Sequence, residues 1–405
     1  MARLALSTAR TWAQAPHALR IGIIYLVARV TTTAFLLLAA SLSTASSRFG
    51  ADPGLANFIV GWDAQWYWLV AESGYPTELP TTESGEVAEN AWAFMPVFAY
   101  ASKAIGFLFG SWGVGAFLLS LIAGYFACLA LHRSLCGRIG SSAATWAVVF
   151  FATGPIAAMF QVGYAETLFL LLLFLALDAT SRRNYVLLYL LIPIMAFTRP
   201  GILAFALYLG LHGVLRWWHR QEDPLSGREV THIIVLGSLA TATGFAWQVI
   251  AGLATGDSGA YLATELAWRR HWVAGGVEGF VPFEGWIQAS QFWFDFWGMP
   301  QWWGPVVLAL LVVAAGVALL YSPQVRALGA DVRLWSVSYL LYLLAVFFPQ
   351  SSTFRLLLPL SPLWGAAAVP RARAWRFGVL AVCLLGQWLW IYHVYALGNT
   401  FWQVP

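Results

Sequence analysis

The densest group of residues that could take part in catalysis or ligand binding lies between Gly61 and Tyr75. There the carboxylate of Asp63 lies among tryptophan and tyrosine residues. In a helix, spacings of three and four residues place Asp63, Trp66 and Tyr67 on one face. Aromatic rings offer a flat surface for a sugar, and a partly desolvated carboxylate is suited to act as a general base. The segment predicts a base beside a sugar-binding platform, with the candidates Trp62, Asp63, Gln65, Trp66, Tyr67, Glu72 and Tyr75.

The same segment has a second interpretation. Tryptophan and tyrosine form belts at membrane surfaces, and an aspartate at this place can simply cap the start of a helix. Farther along, Tyr164 and Glu166 open an apolar run. A glutamate at a membrane boundary costs free energy unless it has a partner or a task, although favourable charge placement at a helix N-terminus would also explain it. We keep Tyr164 and Glu166 as candidate substrate-binding residues.

Four arginines are candidates for holding the phosphate of a lipid. Arg355 starts an apolar run, where it can hold a phosphate by paired hydrogen bonds. Arg199 lies in a turn between two runs, and Arg269 and Arg270 lie together in a polar loop. The alternatives are nonspecific headgroup contact for Arg355, a side chain that reaches toward water for Arg199, and a solvated surface helix for the pair.

The elements that must position these residues belong to a membrane protein. The chain has 405 residues, of which 60% are hydrophobic and 10% are charged, whereas soluble domains have about a quarter charged residues. Apolar runs of about 20 residues, enough to cross a bilayer, recur from end to end. A water-soluble fold is therefore excluded. Most arginines lie in short loops rather than in one basic patch, so no nucleic-acid partner is implied.

About eleven runs are long enough to cross the membrane. They are 21–42, 112–132, 141–160, 164–180, 184–198, 200–217, 230–252, 303–321, 334–348, 355–370 and 376–395. The first is longer than the apolar core of a signal peptide, so we expect it to remain uncleaved. Segment 92–110 could either cross the membrane or lie along its surface. If it lies along the surface, most of the 22 basic residues fall on the cytoplasmic side, as the positive-inside rule expects, so we favour that arrangement.

The sequence therefore predicts an all-α polytopic membrane protein with about 11 transmembrane helices and interfacial helices in a large first outer loop. We expect one membrane domain over residues 1–405, with outer loops at 43–111 and 253–302. Histidine and cysteine show no metal-ligand spacing, and His271 stands alone, so no metal and no cofactor are expected.

Taken in order, these motifs resemble the PIG-V-like mannosyltransferases, a branch of the GT-C superfamily of membrane glycosyltransferases. The resemblance rests on Trp62-Asp63, Trp66-Tyr67, Ala71-Glu72-Ser73-Gly74-Tyr75, Ala93-Phe94-Met95-Pro96, Tyr164-Ala165-Glu166-Thr167-Leu168-Phe169, Thr198-Arg199-Pro200-Gly201 and the segment from Arg355 to Pro359. Met95 departs from the second phenylalanine of the family pattern.

The resemblance implies transfer of mannose from a polyprenyl-phosphate-mannose donor, outside the cytoplasm and with inversion, and Asp63 as the general base. The acceptor would be a hydroxyl group of a glycolipid, a glycan or a protein. Abundant tryptophan, alanine and arginine with little lysine is typical of bacterial chains, which suggests the bacterial plasma membrane with the active site facing outside. Two alternatives stay open: a transporter or flippase of a lipid-linked saccharide, and a GT-C enzyme that transfers another sugar.

Overall fold

The computed structural model describes residues 15–270, 279–349 and 352–398. His271 and Trp272 of the second loop, like Arg3 and Arg10 near the N-terminus, lie outside these residues. The described parts of the chain are all-α. They contain an isolated β-bridge between Thr81 and Val87 but no β-strand.

Seventeen α-helices, numbered in chain order, form the described fold. They are α1 His17–Leu42, α2 Leu55–Ile59, α3 Asp63–Ser73, α4 Pro96–Phe107, α5 Trp112–Thr153, α6 Glu166–Ser181, α7 Tyr185–Ala196, α8 Ile202–Trp218, α9 Gly227–Thr255, α10 Ala260–Ala267, α11 Glu284–Phe296, α12 Trp303–Tyr321, α13 Pro323–Arg326, α14 Ala330–Val346, α15 Thr353–Leu356, α16 Trp364–Ala368 and α17 Arg373–Ile391. Short 3-10 segments and a π-helical turn, Tyr392–Leu397, complete them.

Five of the described helices are long and apolar enough to cross a membrane: α1, α5, α9, α12 and the continuous stretch Arg373–Leu397. Helices α7 and α8 are apolar but shorter. Several long apolar helices in one chain agree with a multi-pass membrane protein that is embedded in a lipid bilayer.

Three predicted spans differ from the helices observed. Segments 112–132 and 141–160 join in α5, which is interrupted where Gly140 adopts a φ of 78° and which ends at Thr153. Segment 355–370 is divided into α15, a 3-10 turn and α16. Pro359 and Pro362 lie in that turn, and proline removes the backbone N–H that a continuous helix needs.

The ambiguous segment 92–110 contains the 12-residue helix α4. At 1.5 Å per residue it extends about 18 Å, less than the hydrocarbon core of about 30 Å. It packs closely on the start of α5, because a Cβ at Gly115 would lie 2.1 Å from the backbone oxygen of Ser102. Glycine thus lets the two backbones approach.

A largely buried segment, 154–165, which contains the 3-10 helix Ala157–Phe160 but no α-helix, connects α5 to α6. Backbone polar groups away from water need internal partners. Arg29, in the middle of α1, donates hydrogen bonds to the carbonyl oxygens of Ala152 and Ala157. Ser120 donates to the carbonyl of Val162 at 2.8 Å. These bonds hold the segment beneath α3, where it delivers Tyr164 to the end of the bundle that is described next.

Candidate functional site

Four charged side chains from distant parts of the sequence meet at one end of the bundle. Arg355 donates a hydrogen bond to the Asp63 carboxylate. Its Nε lies 3.3 Å from Oε1 of Glu166, and Nε of Arg199 lies 3.5 Å from that same oxygen. The order of contact is Arg199, Glu166, Arg355 and Asp63. We call these residues the four-ion cluster.

The cluster is largely withdrawn from solvent. The side chains of Glu166 and Arg199 are 4% and 7% exposed, and those of Arg355 and Asp63 are 13% and 19% exposed. Two positive and two negative charges balance, which offsets the cost of burying them. Asp63 and Arg355 keep the greater exposure, so a ligand would reach these two residues first.

Local backbone geometry aims Asp63 at Arg355. Helix α3 starts at Asp63, and the preceding Trp62 adopts a φ of 56°, an uncommon conformation for a bulky residue. No side chain caps this helix, so the interpretation of Asp63 as a cap is wrong. Instead, its backbone N–H donates to the Tyr164 hydroxyl at 3.2 Å, and its carboxylate is free to pair with Arg355.

Aromatic contacts support both sides of the Asp63 and Arg355 pair. The Arg355 guanidinium lies 5.2 Å from the ring centroid of Tyr164. On the other side, Arg48 lies 4.3 Å from the ring centroid of Trp62, and Trp62 Nε1 donates to the carbonyl of Val394. Positive charge over an aromatic face is attractive. Tyr164 therefore contacts both members of the pair.

Two polar groups near this pair are buried without a hydrogen bond. Nε of Arg355 has none despite its proximity to Glu166, and neither has the hydroxyl of Tyr395. Tyr395 interacts electrostatically with Asp63, Glu166 and Arg355. Ten such atoms occur among the described residues, and these two are donors next to Asp63, where a ligand can accept from them.

Sequence reasoning missed Tyr395. It lies on the π-helical turn Tyr392–Leu397, and such turns occur frequently at functional sites. In sequence it is one of two tyrosines at the end of an apolar run, a pattern typical of a membrane-surface belt. Its place beside Asp63 depends on the packing of α17 against α1 and on the contact of its own ring with Phe58 of α2, which no local signal reveals.

An aromatic wall extends from the cluster along α3. Trp66 stacks on Phe94, with ring centroids 5.7 Å apart and planes 9° apart. Trp268 of the second loop stands edge-on to both rings. Tyr67 is buried below them against Phe94. The predicted platform therefore includes rings from segments 43–111 and 253–302.

The other candidates of this motif, all among the described residues, form no hydrogen bond or ion pair with the four-ion cluster. Glu72 is exposed and lies 3.6 Å from Lys103, about 14 Å along the helix from Asp63 at 1.5 Å per residue. Gln65 is exposed. Tyr75 stacks on Trp92 at 4.6 Å and donates to the carbonyl of Phe94. Its burial raises the pKa of Tyr75, so it stays a neutral hydrogen-bond donor.

The arginine pair of the second loop makes different contacts. Arg269 donates to the carbonyl of Val346. Arg270 lies 3.2 Å from Glu86 and donates to the carbonyl of Val87. These bonds fasten the second loop to the first and to the end of α14. A role for the pair in phosphate binding stays a prediction.

Positive charge in the candidate site comes from arginine. The described residues contain no group of three histidine, cysteine, aspartate or glutamate side chains placed to hold a metal ion. What the arrangement can do is accept a proton at Asp63 and bind an anion at Arg355, next to a wall of aromatic rings. Among known proteins, no family model matches this chain and no curated protein matches it significantly.

Proposed function

We propose that this chain is a membrane glycosyltransferase that moves mannose from polyprenyl-phosphate-mannose to an acceptor hydroxyl, with Asp63 as the general base. The observation that carries the proposal is the contact between Asp63 and Arg355. It sets a proton acceptor beside a phosphate-binding cation, the two groups that such a transfer needs. Mannose is favoured over other sugars by the PIG-V-like motifs alone.

The proposed reaction is a direct displacement. The acceptor oxygen forms a bond to the anomeric carbon while its proton passes to Asp63. The bond between the anomeric carbon and the phosphate oxygen breaks, and its electron pair leaves with polyprenyl phosphate. Arg355 donates hydrogen bonds to the phosphate as this charge develops, and Arg199 adds a second positive charge nearby. A β-linked donor would give an α-mannoside.

The proposal includes a topology of eleven crossings with the four-ion cluster outside the cytoplasm, in a bacterial plasma membrane. Glu166 and Arg199 lie at the start of α6 and just before α8. Arg182, Arg183 and Arg216 lie at the opposite ends of these helices. The positive-inside rule assigns the arginine-rich end to the cytoplasm. Donor phosphates then meet Arg355 at headgroup depth.

A transfer assay tests the proposal. The purified chain is reconstituted in lipid with radiolabelled polyprenyl-phosphate-mannose and a membrane glycolipid extract. We expect labelled product from the wild type and a loss of about 100-fold or more in Asp63→Asn, the range for a general base. The control Asp223→Asn removes an arginine-paired carboxylate at the opposite end of the bundle, where Asp223 contacts Arg183 and Arg216, and is expected to transfer normally.

Other outcomes separate the alternatives. If the donor crosses the bilayer without transfer, and Asp63→Asn behaves like the wild type, the chain is a flippase. If only another polyprenyl-phosphate sugar is transferred, the enzyme class stands and mannose is wrong. A β-linked product would contradict the direct displacement.

A further inference from the structure

Arg355 is already occupied by groups of the protein itself. One of its terminal nitrogens donates to Asp63, and its Nε faces Glu166 at 3.3 Å. The two carboxylates differ in their remaining partners. Glu166 also lies 3.5 Å from Arg199, whereas Arg355 is the cation that pairs with Asp63. An anion that binds Arg355 therefore has to compete with a carboxylate, and Asp63 is the more exposed of the two.

The pairing has a consequence for Asp63 as well. A general base must accept a hydrogen bond from the hydroxyl group whose proton it removes. While Oδ2 of Asp63 accepts a charge-assisted hydrogen bond from Arg355, the ionised carboxylate is stabilised, which opposes its taking up the proton of that hydroxyl group. A base in this position becomes available when another anion takes its place on the guanidinium.

We infer that the phosphate of the lipid donor displaces Asp63 from Arg355, so that Asp63 is released for the acceptor only after the donor has bound. This inference rests on the proposed function and adds an order of binding to it: lipid phosphate first, acceptor hydroxyl second. The phosphodiester takes over the hydrogen bond that Asp63 gives up, and it adds one negative charge to a cluster of two arginines and two carboxylates. Glu166 stays between Arg355 and Arg199 and keeps both arginines in place.

Displacement has a measurable consequence that needs no sugar transfer. If Asp63 competes with phosphate for Arg355, removing the charge of Asp63 strengthens phosphate binding. The probe is polyprenyl monophosphate without a sugar, titrated into the full chain in lipid nanodiscs. We expect Asp63→Asn to bind it about fivefold more tightly than the wild type, a gain of about 1 kcal/mol.

Three further variants make the measurement specific. Asp223→Asn takes a carboxylate from the matched arginine pair at the other end and is expected to leave the affinity unchanged. Arg355→Gln is expected to lose binding, because the cation itself is gone. Asp63→Ser removes the same charge with a different side chain, and it serves if Asp63→Asn does not fold.

The outcomes distinguish this inference from the function on which it rests. Tighter binding in Asp63→Asn with loss in Arg355→Gln supports both. Equal or weaker binding in Asp63→Asn and Asp63→Ser, with loss in Arg355→Gln, overturns the displacement and keeps the donor site. Unchanged binding in Arg355→Gln removes the donor site and the inference with it.

Discussion

Two groups of two arginines and two carboxylates lie at opposite ends of the same helices. One is the four-ion cluster. The other, the loop cluster, consists of Arg183, Arg216, Asp223 and Glu229. Both are electrically balanced, and in both an arginine contacts two carboxylates. Their equal composition makes the differences in their surroundings informative.

The loop cluster is local and more exposed. Its members lie within residues 183–229, and the side chain of Asp223 is 46% exposed. Glu229 is engaged in a capping box, in which it and Ser226 exchange hydrogen bonds at the start of α9. Asp223 accepts from both Arg183 and Arg216. These contacts close a turn between helices and need no ligand to explain them.

The four-ion cluster differs from the loop cluster in sequence range, in exposure and in its part in helix capping. Its members come from residues 63 to 355, and its side chains are at most 19% exposed. Asp63 takes no part in helix capping, and Nε of Arg355 and the hydroxyl of Tyr395 lack hydrogen bonds. Nε of Arg216 in the loop cluster also lacks a hydrogen bond, so the distinction rests on the burial of all four side chains and on the neighbouring hydroxyl of Tyr395.

The largest expected effect on sugar transfer comes from replacing Arg355 by lysine. The matched control is the same replacement at Arg216 in the loop cluster. Lysine keeps the charge but loses the planar fork that binds phosphate. We expect Arg355→Lys to lower the rate of sugar transfer by about 100-fold. Arg216→Lys should lower the melting temperature, because Arg216 is buried and contacts two carboxylates, and leave transfer unchanged. Full transfer by Arg355→Lys would contradict a role in holding phosphate.

A smaller effect is expected from the hydroxyl of Tyr395. Since this hydroxyl makes no hydrogen bond within the described residues, Tyr395→Phe should leave the melting temperature unchanged. If it donates to a ligand, transfer falls by about tenfold, the loss typical of one hydrogen bond to a charged group. The matched variant is Tyr25→Phe, which loses a 2.9 Å bond to the carbonyl of Leu121 and should affect stability alone. Normal transfer by Tyr395→Phe would remove Tyr395 from the site.

The smallest effect is expected in the loop cluster, and it depends on pH. The hydrogen bond from Arg183 lowers the pKa of Asp223 below its ordinary value of 3.8. A carboxyl group whose pKa is lower in the folded state stabilises the fold above the unfolded pKa, and this contribution is lost as pH falls through the folded pKa. Asp223→Asn should thus melt slightly below the wild type at pH 7, and the difference should vanish once the pH falls below the lowered pKa of Asp223 in the folded state.

Exposure also makes the loop cluster sensitive to salt. Ions screen exposed charges more than buried ones. Raising the salt concentration should therefore reduce the difference between Asp223→Asn and the wild type. A difference that persists at high salt and at low pH would mean that Asp223 acts through packing rather than through charge.

The sequence by itself determined the class of the fold and several of its elements. Long apolar runs specify helices because a bilayer leaves backbone polar groups no other partners. The first predicted run coincides with α1, and the run 303–321 coincides with α12. The motif at Asp63 was recognisable because a carboxylate among aromatic residues is conspicuous in an apolar chain. Glu166, Arg199 and Arg355 stood out for the same reason, as ionisable groups next to membrane-crossing runs.

Only the tertiary structure decided which of these residues meet. Arg355 and Asp63 are far apart in sequence, and no spacing rule relates α3 to α15. Their contact results from the packing of α5, α6 and α14, and from the buried segment 154–165 that carries Tyr164 under Asp63. The same packing placed Tyr395 in the site and directed Arg269 to the carbonyl of Val346 at the end of α14 and Arg270 to that of Val87. Periodicity reports the face of a helix that is buried, whereas a site depends on which faces of different helices converge.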